Sequence, residues 1–464
     1  MQDLSFKRID SYEISNFNFL GCDCFVSSKN SYILNRVTGT SMILSDDLLE
    51  KIKSRDLDEN LKFKLIQKGF ATMPNSNKIQ TEFKEEFDLP RSFLIELTKK
   101  CNLHCKYCFK DFDLAEKCQD ITYSELEFIC NYILNYCRKY NIRNIFIQGW
   151  GGEPLLCLDK IVYIKDFFQS SGVQANTIIQ TNATLIDMDT AQILKDKQIG
   201  VGVSIDGFEN IQNSQRPYLD GRKSFDDVLK GIKNLNEVSL RHGTISVITK
   251  ESLPYIDQII DFLVNDLNLT GIKLNPMHSN IYADNITEID DFQLEVFINK
   301  VLNKLIDLNE KGVYVTERNI QDKLKNLLIR ISGSICKSIG CKGGKQLISF
   351  DKHGNVYPCE LTDHADVIMG NIHDEKDLPT LLKNNSSTSK YFKEKKIEEC
   401  NNCSYYCFCR GGCTAAVKYN HFKCAIDTSE CTINKILYPK LIHLILNKPK
   451  VVEKLISNDV TFYC

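Results

Sequence analysis

The sequence predicts an α/β protein built around a parallel sheet, with a small α+β unit ahead of it and a cysteine-rich segment behind it. Three observations carry this reading. Between residue 92 and about 315, short apolar runs alternate six times with longer helical patterns, as expected of repeated strand–helix units. Residues 1–75 instead show short strand-like runs followed by two helical patterns. Of the 20 cysteines, 13 collect in three groups, Cys101 to Cys108, Cys336 to Cys359 and Cys400 to Cys431.

In order along the chain, the first unit has strand-like runs at Phe17–Leu20, Cys24–Val26 and Ser31–Leu34, then helical patterns at 45–53 and 58–68, closed by Gly69. Cys22 and Cys24 read as strand residues. A polar, acidic linker, 76–90, ends at Pro90. The six strands are expected at Phe93–Leu97, Ile145–Gln148, Thr177–Gln180, Val201–Ile205, Thr244–Thr249 and Gly271–Leu274. Helices are expected near 123–140, 157–169, 188–197, 224–236, 254–266 and 290–311. In such folds functional residues gather at the carboxyl ends of strands. The segment 331–435 is poor in long periodic helices and rich in Cys and Gly, so something besides an apolar core must help hold it. Residues 436–464 return to an amphipathic helical pattern and a tail.

Composition narrows the function. With 464 residues and 43% hydrophobic residues, the chain has ample core and needs no staples. In a long chain without a secretory segment, clustered cysteines point to metal ligation before disulfides. A net charge of −2 with scattered Lys and Arg argues against a nucleic-acid partner, and apolar runs too short to span a bilayer argue against a membrane one. The expected location is cytoplasmic.

The most informative stretch is Cys101-Asn102-Leu103-His104-Cys105-Lys106-Tyr107-Cys108, directly after the first strand. Three thiolates spaced C-x3-C-x2-C can hold three irons of a [4Fe-4S] cubane and leave the fourth with an open position. A zinc knuckle would need a fourth ligand, and His104 lies between the cysteines on the same loop. Further motifs follow at strand ends: Gly149-Trp150-Gly151-Gly152-Glu153-Pro154, then QTNATL at 180–185 and GVSIDG at 202–207. Glycines allow close approach to the backbone, and a carboxylate can accept from an ammonium group.

Taken together, these motifs resemble the radical S-adenosylmethionine (SAM) superfamily. The resemblance implies a partial (β/α)6 TIM-type barrel over 91–330, with SAM chelating the open iron. It also implies cofactor-binding roles for Tyr107, Gly151, Gly152, Glu153, Ser204 and Arg216, the last two at the SAM carboxylate; a surface role for Arg216 is the alternative. Trp150, the only tryptophan, stands where sulfatase-maturing members carry Gln and is expected to line the substrate side.

The later cysteines resemble the SPASM domain, which implies two auxiliary [4Fe-4S] clusters and so three in all. One would be held by Cys336, Cys341, Cys359 and Cys413, the other by Cys400, Cys403, Cys409 and Cys431. Without Cys336 the first of these would have an open iron, and Cys407 and Cys424 lie close to the ligand set. Glu360 matches a position where sulfatase-maturing members use an Asp as catalytic base; a structural acid beside a cluster is the alternative.

The stretch from Tyr32 through Ala71, within the unit 1–75, resembles the RiPP recognition element, a winged-helix module that binds a precursor's leader as an added strand. A structural cap on the barrel is the alternative. The function implied is a maturase for a ribosomally made peptide, with the precursor bound through its leader and a low-potential donor such as ferredoxin or flavodoxin. A thioether crosslink is the expected product. Formylglycine formation in a sulfatase is the competing enzyme reading, and an iron–sulfur carrier or peptide scaffold is the non-enzyme one.

Overall fold

The computed structural model describes residues 4–14, 17–28, 30–36, 38–73, 89–110, 119–277, 288–330, 340–362, 367–384, 397–419 and 426–457. Cys336, Cys424, Cys464 and nearly all of the 76–90 linker lie outside them.

The first unit contains β1 (Ser5–Ile9), β2 (Tyr12–Ile14), β3 (Phe17–Phe19), β4 (Cys22–Val26), β5 (Asn30–Leu34), β6 (Ser41–Ser45), α1 (Asp46–Ser54), α2 (Glu59–Gln67) and β7 (Ala71–Thr72). They form two antiparallel sheets, β1-β4-β5-β6 and β2-β3-β7. Alternation places Phe17, Phe19, Ile33 and Leu44 inward, where they meet Leu49, Ile52, Leu61, Leu65 and Phe70 in a core of their own. Asp58 starts α2 by accepting from the Leu61 N–H, and Gly69, at φ +74°, turns the chain out of it. Cys22 and Cys24 are buried strand residues with sulfurs 3.7 Å apart.

The large sheet follows. Its parallel strands are β8 (Ser92–Thr98), β9 (Asn144–Gly151), β10 (Gln174–Thr181), β11 (Gly200–Ser204), β12 (His242–Ile248), β13 (Gly271–Pro276) and the two-residue β14 (Thr316–Glu317). Between them run α3 (Tyr123–Lys139), α4 (Leu158–Ser171), α5 (Met188–Asp196), α6 (Phe225–Glu237), α7 (Ile256–Asp261) and α8 (Asp291–Glu310), and α9 (Arg318–Ile329) comes after β14. The strands lie in sequence order from β8 to β14, and among the described residues β14 does not pair with β8, so the barrel is open.

Both faces of β8 are buried: Phe93, Ile95 and Leu97 pack under the outer helices, and Leu94 faces inward. A capping box of Thr122 and Glu125 starts α3, whose Leu126, Ile129, Cys130, Ile133 and Cys137 recur at helical spacing in the core. Two cysteines outside the three groups are therefore packing residues.

The cysteine-rich segment differs from expectation at both ends. Its β15 (Leu347–Phe350), β16 (Asn355–Tyr357) and β17 (Gly370–Asn371) extend the same sheet, with β15 parallel to β8. Helix α10 (Leu378–Asn384) follows them, and the last two helices are α11 (Thr428–Asn447) and α12 (Pro449–Ser457). Thus α11 starts before residue 436, because Asp427 caps it through the Glu430 N–H and places Cys431 in its first turn. Its buried Ile433, Leu437, Leu441 and Ile442 join the main core, and a buried ion pair of 2.6 Å, Lys323 to Glu430, ties it to α9. The first unit sits on the same helix: Tyr32 Oη and Ser41 Oγ both donate to the Leu327 carbonyl. Among the described residues no helix is long and apolar enough to cross a membrane.

Asp377, just ahead of α10, accepts from Lys139 Nζ (2.6 Å), Tyr140 Oη (2.8 Å) and Thr380 Oγ1 (2.6 Å). Burial works against its charge, but these bonds hold the carboxyl well below the usual range. A depressed carboxyl stabilises the fold above its unfolded pKa, and that stability is lost as pH falls through the folded value. Asp377→Asn is expected to cost about 1 kcal/mol at neutral pH, a figure discounted for the exposed Lys139. Thermal unfolding at neutral pH and in strong acid should show the deficit shrinking in acid.

Candidate functional site

The carboxyl ends of β8 to β13 open into one cavity of about 660 Å³. Cys101, Cys105 and Cys108 line it, on the loop that leaves β8. Main-chain bonds hold that loop: His104 N to the Pro217 carbonyl (2.8 Å), Lys106 N to the Gln215 carbonyl (3.0 Å) and a bridge from Leu103 to Tyr218. The His104 side chain is exposed and away from the cavity lining, which leaves three thiols facing it. Burial pushes Cys101 up to about 11 and Cys105 up to about 12, and raises Cys108 as well. Thiolates in so dry a place need a cation to offset their charge, and this donor set fits an iron–sulfur cluster.

The glycines of the second motif have a different physical reason from the one expected. Gly151 has φ +146°, and a Cβ there would stand 1.8 Å from the Thr98 carbonyl oxygen; one on Gly152 would stand 2.1 Å from that of Lys100. Gly152 N and Glu153 N donate to those two carbonyls at 2.9 Å each. The motif therefore fastens the end of β9 against the backbone that leads into Cys101.

Glu153 is likewise turned to the protein: it accepts from Leu155 N (3.0 Å), Thr181 Oγ1 (2.7 Å) and Asn182 N (2.7 Å). About one lone pair of the carboxylate's four is left for a ligand ammonium. The following Asn182 donates to Asn102 Oδ1 at 2.8 Å, and its Nδ2 lies 4.0 Å from Cys101 Sγ. Both lie inside stretches the sequence singled out, Cys101 to Cys108 and QTNATL, but neither was itself expected to have a task at the site.

Tyr107 uses its hydroxyl within the wall. It donates to Asp206 Oδ2 (2.6 Å) and accepts from Arg216 Nη1 (2.6 Å). Arg216 is 9% exposed, which rules out a surface role, and its Nε is buried without a hydrogen-bond partner. Ser204 Oγ accepts from Gln180 Nε2 at 3.0 Å, so its own O–H is left to donate. Gln180 can lie there because residue 202 is Gly; a Cβ would meet Gln180 Oε1 at 2.1 Å. Arg216 and Ser204 both line the cavity, and their open donors suit a ligand carboxylate.

Cys341, Cys359 and Cys413 line this same cavity, and Cys336 is outside the described residues. Cys359 packs against Leu94, Trp150 and Leu347. Glu360 follows it on the cavity wall, with Oε2 buried and without a partner. Burial raises its carboxyl, and Lys273 and Lys110 offset part of that. A second, small cavity is lined by Cys400, Cys403, Cys409 and Cys431. Four thiols around one space fit a four-iron cluster. Cys407, beside them in sequence, points instead into the main core, where its thiol donates to the Ser404 carbonyl.

Sequence reasoning did not find a buried ion pair at the cavity, Lys110 to Glu96 (3.0 Å), with Lys110 Nζ 3.7 Å from the Trp150 ring centroid. Its only signal was a Glu inside an otherwise apolar strand.

Comparison with known proteins agrees with this geometry. Residues 95–263 match the radical SAM superfamily, and residues 341–404 match the SPASM iron–sulfur cluster-binding domain. The chain carries a radical SAM domain followed by a SPASM domain. Its cofactors are accordingly SAM and [4Fe-4S] clusters, and it is an enzyme. Among curated relatives, a cysteine-type anaerobic sulfatase-maturating enzyme of Clostridium novyi is 26% identical, covering 74% of this chain and 92% of its own. The radical SAM cyclopropyl synthase TigE of Paramaledivibacter caminithermalis is 25% identical over 81% of each chain. The solved structure of anSMEcpe with bound AdoMet superposes with a TM-score of 0.68 at 21% identity, over 79% of this chain and 98% of that one, a likeness of fold.

Proposed function

We propose that this radical SAM/SPASM enzyme matures a ribosomally made precursor peptide by forming a thioether crosslink. The observation that carries the reading is the single cavity that Cys101, Cys105 and Cys108 share with Cys341, Cys359, Cys413 and Glu360. A substrate held there lies within reach of both cysteine groups. When bound at the Cys101–Cys105–Cys108 cluster, SAM supplies a 5'-deoxyadenosyl radical that removes a substrate hydrogen atom.

The chain's own residues set the conditions for that step. Arg216 and Ser204 orient the SAM carboxylate, and the remaining lone pair of Glu153 receives its ammonium group. Leu94, Trp150 and Leu347 form a dry wall on the β8 side. Thioether formation removes a second hydrogen as a proton and an electron: Glu360 Oε2 is the group that takes the proton, and the electron would go to a cluster held by Cys341, Cys359 and Cys413. Auxiliary clusters at the two SPASM cysteine sets make three in all, and a low-potential ferredoxin or flavodoxin is the donor. Residues 1–75 bind the leader, and their seat on α9 connects them to the cavity, because Ile320 and Lys323 of α9 line it.

Coexpression with a short cysteine-containing peptide encoded beside the gene tests this. The expected result is a loss of two hydrogens per crosslink by mass spectrometry; an unchanged mass in cells where SAM is cleaved would overturn it. The coverage of the Clostridium novyi relative favours a second reading, formylglycine formation, whose product would be an aldehyde on a sulfatase-derived peptide, trapped by a hydrazide.

A further inference from the structure

Trp150 is fixed more firmly than a wall residue needs to be. Its backbone is wedged against β8 by the glycines on either side: a Cβ at Gly149 would stand 2.9 Å from Leu97 Cδ1, and one at Gly151 would meet Thr98 at 1.8 Å. The ring has Lys110 over its face at 3.7 Å, and Lys110 is itself held by Glu96. Leu94, Leu347 and Cys359 close around the rest. Nevertheless its Nε1 is buried without a hydrogen-bond partner, in a side chain only 7% exposed that lines the cavity. A buried donor left unpaired is penalised, so the protein gains when a partner reaches it.

We propose that the Trp150 indole N–H is a substrate-binding donor that takes a carbonyl oxygen of the polypeptide substrate. The acceptor is a carbonyl because that is the acceptor a polypeptide offers at every residue, and the cation nearest the ring, Lys110, is already held by Glu96, which Lys99 also faces at 3.8 Å. A cation over the ring face draws electron density from the indole and strengthens the donor. The acceptor belongs to the substrate because Trp150 packs toward β8 and β15, whereas Ser204 and Arg216 lie beyond β10 on the other side of β9. This assignment rests on the peptide-maturase reading.

Because Trp150 is the only tryptophan in the chain, the ultraviolet resonance Raman band that reports indole N–H hydrogen bonding is its own. It should be recorded on the anaerobically loaded holoenzyme alone, with SAM, and with SAM plus the coexpressed precursor peptide, with the product weighed from the same sample. The expected result is an unbonded signature in the first two states and a bonded one once peptide is present. A bonded signature in the free enzyme overturns the proposal. So does a shift caused by SAM alone, or an unshifted band in a sample whose peptide is modified. A peptide that keeps its mass is a failure of the maturase reading instead, and the mass spectrum reveals it. Trp150→Phe, which keeps the ring and removes the donor, should raise KM for the peptide about tenfold with a smaller change in kcat.

Discussion

Replacing Cys101, Cys105 and Cys108 together by Ala is expected to abolish 5'-deoxyadenosine formation and to leave about eight irons per chain, two four-iron clusters' worth. The loop should survive the change, because the bonds that seat it run through the main chain of Leu103, His104 and Lys106 rather than through the thiols. The other two cysteine sets come from separate segments. Chromatography of the SAM products and iron analysis on anaerobically purified protein check both halves. Loss of all iron would show that the division into three clusters is wrong, whereas residual cleavage would show that SAM is activated elsewhere.

Glu360→Gln is the second large effect expected. The substitution keeps the size and polarity of the side chain and removes its ability to accept a proton, so modified peptide should fall by about 10²-fold or more. Formation of 5'-deoxyadenosine should continue, because Arg216, Ser204 and Glu153 belong to other strands' ends. The diagnostic quantity is the ratio of 5'-deoxyadenosine to product, which should rise steeply. If the two fall together, Glu360 supports the Cys359 segment instead of serving the reaction. Glu360→Asp, which keeps the carboxyl but shortens its reach, is expected to fall between the wild type and the Gln variant.

The parts of the molecule legible in the sequence are those in which periodicity and burial coincide. The six longer barrel strands were expected because each is an apolar run between helical patterns, and the structure places all six, within a residue or a few at their ends. Strands that are exposed or very short left no such pattern: β1 has four of its five residues exposed, and β14 and β17 have two residues each. The role of β15 was not visible because strand pairing between segments some 250 residues apart has no local signature. At the site, residue types were more legible than their tasks. Gly151 and Gly152 stood out, yet their nearest demand is the backbone of Thr98 and Lys100. Tyr107 was expected at the cofactor, yet its hydroxyl belongs to Asp206 and Arg216. Spacing alone could not separate Cys407 from its neighbours, since only the direction of its side chain does so.

The pairing of β15 with β8 has one more consequence. The two strands run parallel in fixed register, Leu347 opposite Ser92 and Phe350 opposite Ile95. Cys101 follows the end of β8, Cys341 precedes β15 and Cys359 follows β16, so on the proposed reading this ladder would act as a ruler between the two cysteine groups. Slipping a strand by one residue would turn its side chains to the wrong face, so the ruler is graduated in pairs of residues, about 6.6 Å apart. The spacing between the two cysteine groups can therefore change only in such steps, or through the loops at either end.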